Sequence, residues 1–234
     1  MTAEIVAGSV AVICIDGPSG SGKGTIAARL ARRLDFHLLD SGALYRLVAL
    51  AARRGGTAFT DQDALAACAR ALDIGFMPAA DAEDVRVLLA GEDVSVAIRT
   101  DAVGQDASVV AAIAGVRASL VDRQRAFARA PGLVADGRDM GTVVFPEATL
   151  KIYLTASAEA RAQRRYKQLM EKGLPASLRD LLDSIEARDA RDKNRTVAPL
   201  RPADDALDVD STQMSADAVF ELVLAQARAR GLCD

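Results

Sequence analysis

The sequence predicts an α/β protein built on a doubly wound parallel sheet, and three observations carry that expectation. The apolar, β-branched run Val10–Ile15 stops at Asp16-Gly17-Pro18, as a strand buried on both faces does before a turn. Behind it Ile26, Leu30 and Leu34 recur at i, i+4 and i+8 with Ala27 and Ala31 alongside, while Arg29, Arg32 and Arg33 take other faces of the same amphipathic helix. Further on, Phe36–Leu39, Leu133–Ala135, Leu150–Leu154 and the weaker Leu207–Val209 are short apolar runs separated by helical patterns, as alternating strands and helices require.

One stretch breaks the alternation. In Leu72–Arg99, Ile74 and Phe76 alternate with Gly75 and Met77, then Val85, Val87 and Leu89 lead through a Gly91-Glu92-Asp93 turn into Val94, Val96 and Ile98. A small antiparallel insertion is expected there. Near the end, Ser157 with Glu159 opens a helix that Gly173 and Pro175 close, and Ser177 with Asp180 forms a capping-box pattern for the next. The expected organisation is one domain over 1–234 that contains this insertion.

Composition narrows the partners. With 50% apolar and 26% charged residues the 234-residue chain reads as globular, and a formal charge of -3 weighs against a general affinity for nucleic acid or anionic lipid. Cys14, Cys68 and Cys233 are widely spaced with no CxxC pair, which suggests neither a disulfide framework nor a zinc site and points to a reducing, cytoplasmic compartment. Ile5–Ile15 has the length of a signal-peptide core, but Glu4 replaces a basic flank and the run enters a glycine loop, so a core strand is the better reading. No run approaches the roughly 18 apolar residues of a membrane span.

The glycine loop is the strongest signal. Gly17, Pro18, Ser19, Gly20, Ser21, Gly22, Lys23, Gly24 and Thr25 spell GPSGSGKGT between a strand and a helix. Backbone amides of such a loop cradle phosphates, the lysine reaches the β- and γ-oxygens, and a hydroxyl just beyond can ligate Mg²⁺, here Thr25. The strict pattern has Ser or Thr directly after the lysine; Gly24 intervenes, a variant associated with nucleoside monophosphate kinases. An ordinary glycine turn would explain the glycines, but not the lysine and hydroxyl at these spacings. The loop leaves the acceptor open.

Three later segments bear on the acceptor, each with a plainer explanation beside it. Asp40–Arg46, DSGALYR, follows the second strand and is either a helix capped by Ser41 or the start of a phosphate contact. Asp136-Gly137-Arg138-Asp139 stands at the carboxyl end of the third strand, where open α/β sheets bind ligands; a turn with a local ion pair would look the same. Arg188, Arg191, Asp192 and Arg195 fall at i, i+3, i+4 and i+7, one helical face that is either solvated or turned towards several phosphate charges.

In this order and spacing, GPSGSGKGT, DSGALYR, DGRDMGTVVFP and RDARDKNR closely resemble the bacterial cytidylate kinase family, from about Val10 to near Ala225. The resemblance implies a P-loop NTPase-type sheet with 60–105 as an enlarged monophosphate-binding insertion, 160–195 as a short helical lid, and transfer of the γ-phosphoryl group of ATP to CMP or dCMP in pyrimidine nucleotide metabolism. It implies Mg²⁺ with ATP, and no nucleic acid, membrane or obligate protein partner. By position, Ser41, Arg46, Arg138 and Arg195 would contact the acceptor phosphate, Arg188 and Asp192 its sugar, and Ser108, Arg117 and Asp139 its base.

A monophosphate oxygen is already ionised near neutral pH, so alignment and charge neutralisation would do the chemistry. The expected catalytic residues are therefore Lys23, Arg138, Arg188, Arg191 and Arg195, with His37, the single histidine, in a core or sheet-edge role. Two rivals stay open. A small-metabolite kinase acting on an alcohol would recast Asp139 or Asp40 as a base; a GTPase-type switch would need an N-K-x-D element, which Lys193-Asn194 has in the wrong order.

Overall fold

A computed structural model describes residues 10–78, 85–171, 173 and 175–233 of the chain. Residues 5–9 of the apolar stretch Ile5–Ile15 lie outside the described residues. The chain divides into two compact units, Met1–Asp40 with Gln124–Asp234, and Ser41–Arg123.

The first unit is a parallel sheet of five strands: β1 (Ala11–Asp16), β2 (His37–Asp40), β6 (Gly132–Gly137), β7 (Leu150–Thr155) and β8 (Leu207–Asp210), in the order β2-β6-β1-β7-β8. All five apolar runs of the sequence are strands. The central β1 is flanked by β6 and β7, so chain order reverses around it and a crevice opens at its carboxyl end. On one face Ile13, Ile15, Val134, Ile152 and Leu154 pack with Ile26, Ala27 and Leu30 of α1 (Lys23–Leu34) and with Val223 and Leu224 of α8 (Ala216–Arg228). The period of two on the strands meets the period of four on the helices, which is why the pattern was legible. His37 lies on the edge strand β2, its Nε2 2.9 Å from the Ala130 carbonyl oxygen.

α6 (Ala158–Glu171) and α7 (Leu178–Lys193) follow β7, and their capping is as read: Ser157 accepts from Ala160 N at 3.2 Å and Ser177 from Asp180 N at 3.3 Å. A buried bidentate pair joins the two helices, Arg161 to Asp189 at 3.1 and 2.6 Å.

The second unit holds α2 (Ser41–Arg54), α3 (Gln62–Ala71), α4 (Asp101–Val110) and most of α5 (Ala114–Arg125), with a small antiparallel sheet of β3 (Ile74–Pro78), β4 (Val85–Leu89) and β5 (Glu92–Asp93). Segment 60–105 lies inside it. The antiparallel expectation holds for β3 and β4, but the turn and third strand differ. The turn is Ala90-Gly91, both left-handed at φ 50° and 81°, which pairs Glu92 with Leu89 and makes the expected turn residues the short β5. Asp93 then accepts from Ser95 N at 3.0 Å and from Ser95 Oγ at 2.6 Å, a local turn that carries the chain off the sheet. Val94 and Ile98 are buried and Val96 is 83% exposed, so the alternation reports burial without a strand; Ala97–Arg99 is a 3-10 turn.

Candidate active site

β1 ends at Asp16 and the chain enters the glycine loop at once. Gly17 has φ 147°, and a Cβ there would stand 2.0 Å from the Leu154 carbonyl oxygen, so the loop can lie against β7 only without a side chain. Gly22, at φ 95°, caps α1, so the first helical amides open towards the loop. Ser211, after β8, braces the loop from below: its Oγ is 3.3 Å from Ser21 O and 2.9 Å from Thr155 O, and Arg164 donates to it at 3.2 Å.

Lys23 folds back over this loop, donating to Pro18 O at 2.8 Å, with Asp136 Oδ1 4.0 Å away. It is only 5% exposed. Burial, then the neighbouring Arg138, push its ammonium down to about 7, while Asp136 and Asp16 oppose and Arg188 adds to the fall. Burial likewise raises the Asp136 carboxyl to about 6, with Lys23 pulling the other way. A lysine whose charge is disfavoured by burial first, and by neighbouring guanidinium groups second, is one that a polyphosphate beside it would help to keep charged.

Arg188 of α7 and Arg161 of α6 reach the loop, and Arg138 of the strand end meets α7. Arg188 Nη1 donates to Ser19 Oγ at 3.0 Å, and Arg161 Nη1 to Ser19 O at 2.9 Å. Asp192, with 0% exposure, accepts from Arg138 Nε at 3.0 Å and from Arg195 Nη2. Arg195 lies just past the end of α7 rather than on it, so the expected four-residue helical face is carried by Arg188, Arg191 and Asp192, and Arg195 reaches the same carboxylate from the following turn. Arg191 is half-buried in the last turn of α7. Asp139 is 2% exposed and lies beside Arg138 at the start of the turn after β6.

Within the Ser41–Arg123 unit, Ser41 is a buried first residue of α2, and Arg46, one turn on, donates to Ile98 O at 2.6 Å. Ser108 on α4 and Arg117 on α5 are both buried; the Arg117 guanidinium donates to Ala111 O at 3.2 Å and lies 5.8 Å from the Tyr45 ring centroid. A buried serine and guanidinium in a helical insertion differ from the unremarkable pair that their spacing alone suggests.

Sequence reasoning missed Asp16, Asp136, Arg161 and Asp189 as members of the site. For Asp136 the sequence offers a segment at the ligand-binding end of the strand beside β1, with an aspartate aimed at a base, sugar or metal-bound water as one of its two readings, but no role for this residue in particular. Arg161 and Asp189 carried no signal beyond helical polarity.

For a divalent cation the chain offers oxygen. The Asp136 Oδ2 atom is 3.3 Å from where a Cβ on Gly24 would stand, so this carboxylate lies against the first turn of α1, which also carries the exposed Thr25. No cluster of three or more metal-ligating side chains occurs among the described residues. One carboxylate and one hydroxyl fit Mg²⁺, which keeps its waters and takes the rest of its shell from phosphates.

Strand order and loop together place the chain among the P-loop phosphotransfer proteins. The family model described as cytidylate kinase matches residues 13–229. Cytidylate kinase of Pseudomonas savastanoi pv. phaseolicola is 58% identical over 221 residues, covering 94% of this chain and 96% of the relative. Cytidylate kinase of Pseudomonas aeruginosa is 56% identical over 224 residues, covering 96% and 98%. The chain therefore belongs to the cytidylate kinase family. The crystal structure of TT1252 from Thermus thermophilus aligns over 94% of this chain and 97% of its own at 17% identity and a TM-score of 0.46, a likeness too slight to argue from. No described helix is long and apolar enough to cross a membrane.

Proposed function

We propose that the chain transfers the γ-phosphoryl group of ATP to CMP and dCMP, giving CDP or dCDP and ADP, with Mg²⁺ bound alongside the nucleotide. Family membership supports the reaction. The observation that carries it in this chain is the contact of Arg188 with Ser19 of the loop that holds Lys23, while Asp192, one turn on along α7, gathers Arg138 and Arg195.

The loop from Gly17 to Thr25 binds ATP, its amides on the phosphates and Lys23 on the β- and γ-oxygens. Thr25 and Asp136 would hold a Mg²⁺ bound with ATP, which would supply charge neutralisation for the phosphates. Arg138, Arg188, Arg191 and Arg195 surround the transferring phosphoryl group and hold donor and acceptor oxygens in line; the acceptor needs no base because its phosphate is already ionised.

The acceptor phosphate is taken by Ser41, Arg46, Arg138 and Arg195, and its sugar by Arg188 and Asp192. Cytosine is read by Ser108, Arg117 and Asp139: its amino group needs an oxygen acceptor and its ring nitrogen and carbonyl need donors, which a carboxylate or hydroxyl and a guanidinium supply. Segment 60–105 serves as monophosphate-binding insertion and 160–195 as lid of one kinase domain, working in the cytoplasm. Lid and insertion close over the nucleotides and exclude water, so ATP hydrolysis without acceptor stays slow.

The test is ADP release with Mg²⁺·ATP against CMP, dCMP, UMP, AMP, GMP, shikimate and gluconate. CMP and dCMP should turn over well above UMP, because uracil reverses the donor and acceptor at the amino-side edge and leaves buried groups unpaired. Equal turnover of UMP would remove the base pocket, and turnover of an alcohol in place of CMP would reassign the enzyme.

A further inference from the structure

Asp16 is the last residue of β1 and immediately precedes the loop glycine Gly17. Both carboxylate oxygens are engaged by the chain that follows β6: Oδ1 accepts from Met140 N at 2.9 Å and Oδ2 from Gly141 N at 2.8 Å. These two amides open a π-turn, Met140–Val144, that directly follows Arg138 and Asp139. The parallel register pairs Asp16 with Gly137, which brings the end of β1 alongside this segment.

The same turn is gripped at its other end. Arg125 Nε donates to Val144 O at 3.1 Å and Nη2 to Val143 O at 3.4 Å. The Asp139 carbonyl accepts from Val143 N at 2.9 Å and Val144 N at 3.2 Å, so turn and Asp139 move as one piece. At Gly141 a Cβ would stand 3.1 Å from Lys151 Cδ and 3.4 Å from Asp16 Oδ2, tight contacts that leave little room for a side chain between amide and carboxylate.

A carboxylate suits this place for a reason of valence. Asp16 must satisfy two adjacent amide donors, and a carboxyl group has an oxygen with a free lone pair for each. Asparagine has one oxygen and would set its NH₂ against the second amide. Asp16 makes no ion pair among the described residues, and each of its two oxygens accepts from a backbone amide.

We propose that Asp16 is a positioning residue for the acceptor nucleotide, holding the Arg138–Asp139 segment in fixed register with the phosphate loop. One residue thus ends the donor strand and anchors the acceptor-side turn. The inference deepens the reading above and rests on it.

Asp16→Asn and Arg125→Met test it, read by steady-state kinetics in both substrates and by hydrogen exchange over the turn. Asp16→Asn should raise KM for CMP about tenfold or more, as loss of a charge-assisted hydrogen bond does, and leave KM for ATP within about twofold. Exchange at Met140 and Gly141 should quicken. Arg125→Met, an exposed change at the far end of the turn, should shift KM for CMP the same way by a smaller factor. Equal rises in both KM values, or quickened exchange with an unchanged KM for CMP, would overturn the proposal; if Asp16→Asn does not fold, Arg125→Met decides by the same criteria. Were wild type to turn over no CMP, the cytidylate reading would fail, and unchanged exchange at Met140 and Gly141 in Asp16→Asn would separately sink the positioning role.

Discussion

Asp192 and Asp16 are both buried carboxylates of the sheet-bearing unit, yet their surroundings differ in kind. Around Asp192, burial works to raise the carboxyl, but Arg138, Arg195 and Arg188 together hold it below the ordinary aspartate value. Around Asp16 burial wins: the amides of Gly141 and Met140 and the ammonium of Lys23 pull down, Asp139 pushes up, and the carboxyl rises to about 7. Three guanidinium groups thus outweigh desolvation where two amides and one ammonium do not. The carboxylate on α7 is a counter-ion that gathers arginines in place of substrate charge, whereas the one ending β1 is an anchor for backbone.

The largest effect should come from removing a charge on the Asp192 side. Arg138→Ala should lower kcat by about a thousandfold, as loss of a central arginine does in phosphoryl transfer, measured by ADP release at saturating CMP. Near-normal turnover would mean the guanidinium serves Asp192 alone.

Next in size is stability. Asp192→Asn should cost about 3 kcal/mol in urea unfolding at pH 7, because buried guanidinium groups lose their counter-charge. The sign follows from the lowered carboxyl: its contribution is present above the unfolded value near 4 and fades as pH falls through the folded one. Wild type and variant should therefore converge in acid.

A smaller effect of opposite sign sharpens the contrast. The Asp16 carboxyl is raised on folding, so its contribution is greatest below the unfolded value and is lost as pH climbs to about 7. The stability of wild type relative to Asp16→Asn should thus decline between about pH 4 and pH 7, where relative to Asp192→Asn it is maintained. A parallel pH course for the two variants would erase the distinction. The smallest effect lies outside both regions: His37→Gln should leave kcat within about twofold, since the ring faces a backbone carbonyl on the sheet edge and phosphoryl transfer here needs no base.

Legibility followed the range of the interaction. Val10–Ile15, the loop to Thr25 and the helix stripe of Ile26 and Leu30 were readable because each is written in adjacent residues or in a period of two or four. The caps Ser157 and Ser177 were readable for the same reason. The hairpin differs by one residue: Ala90 and Gly91 both adopt φ above zero, a conformation that alanine does not advertise, so the turn begins at Ala90 and leaves Glu92 and Asp93 to the strand. Arg195 was placed on the α7 face by spacing, although the helix ends at Lys193.

What the residues alone determined is the strand, the glycine loop and the helix behind it, together with the chemistry that lysine, hydroxyl and arginines can supply. Tertiary structure decided which of those charges meet. Asp16 finds the Met140 amide 124 positions away and Arg138 finds Asp192 54 positions away, and no local period records a contact that exists only once parallel strands set their register and bring distant chain ends together.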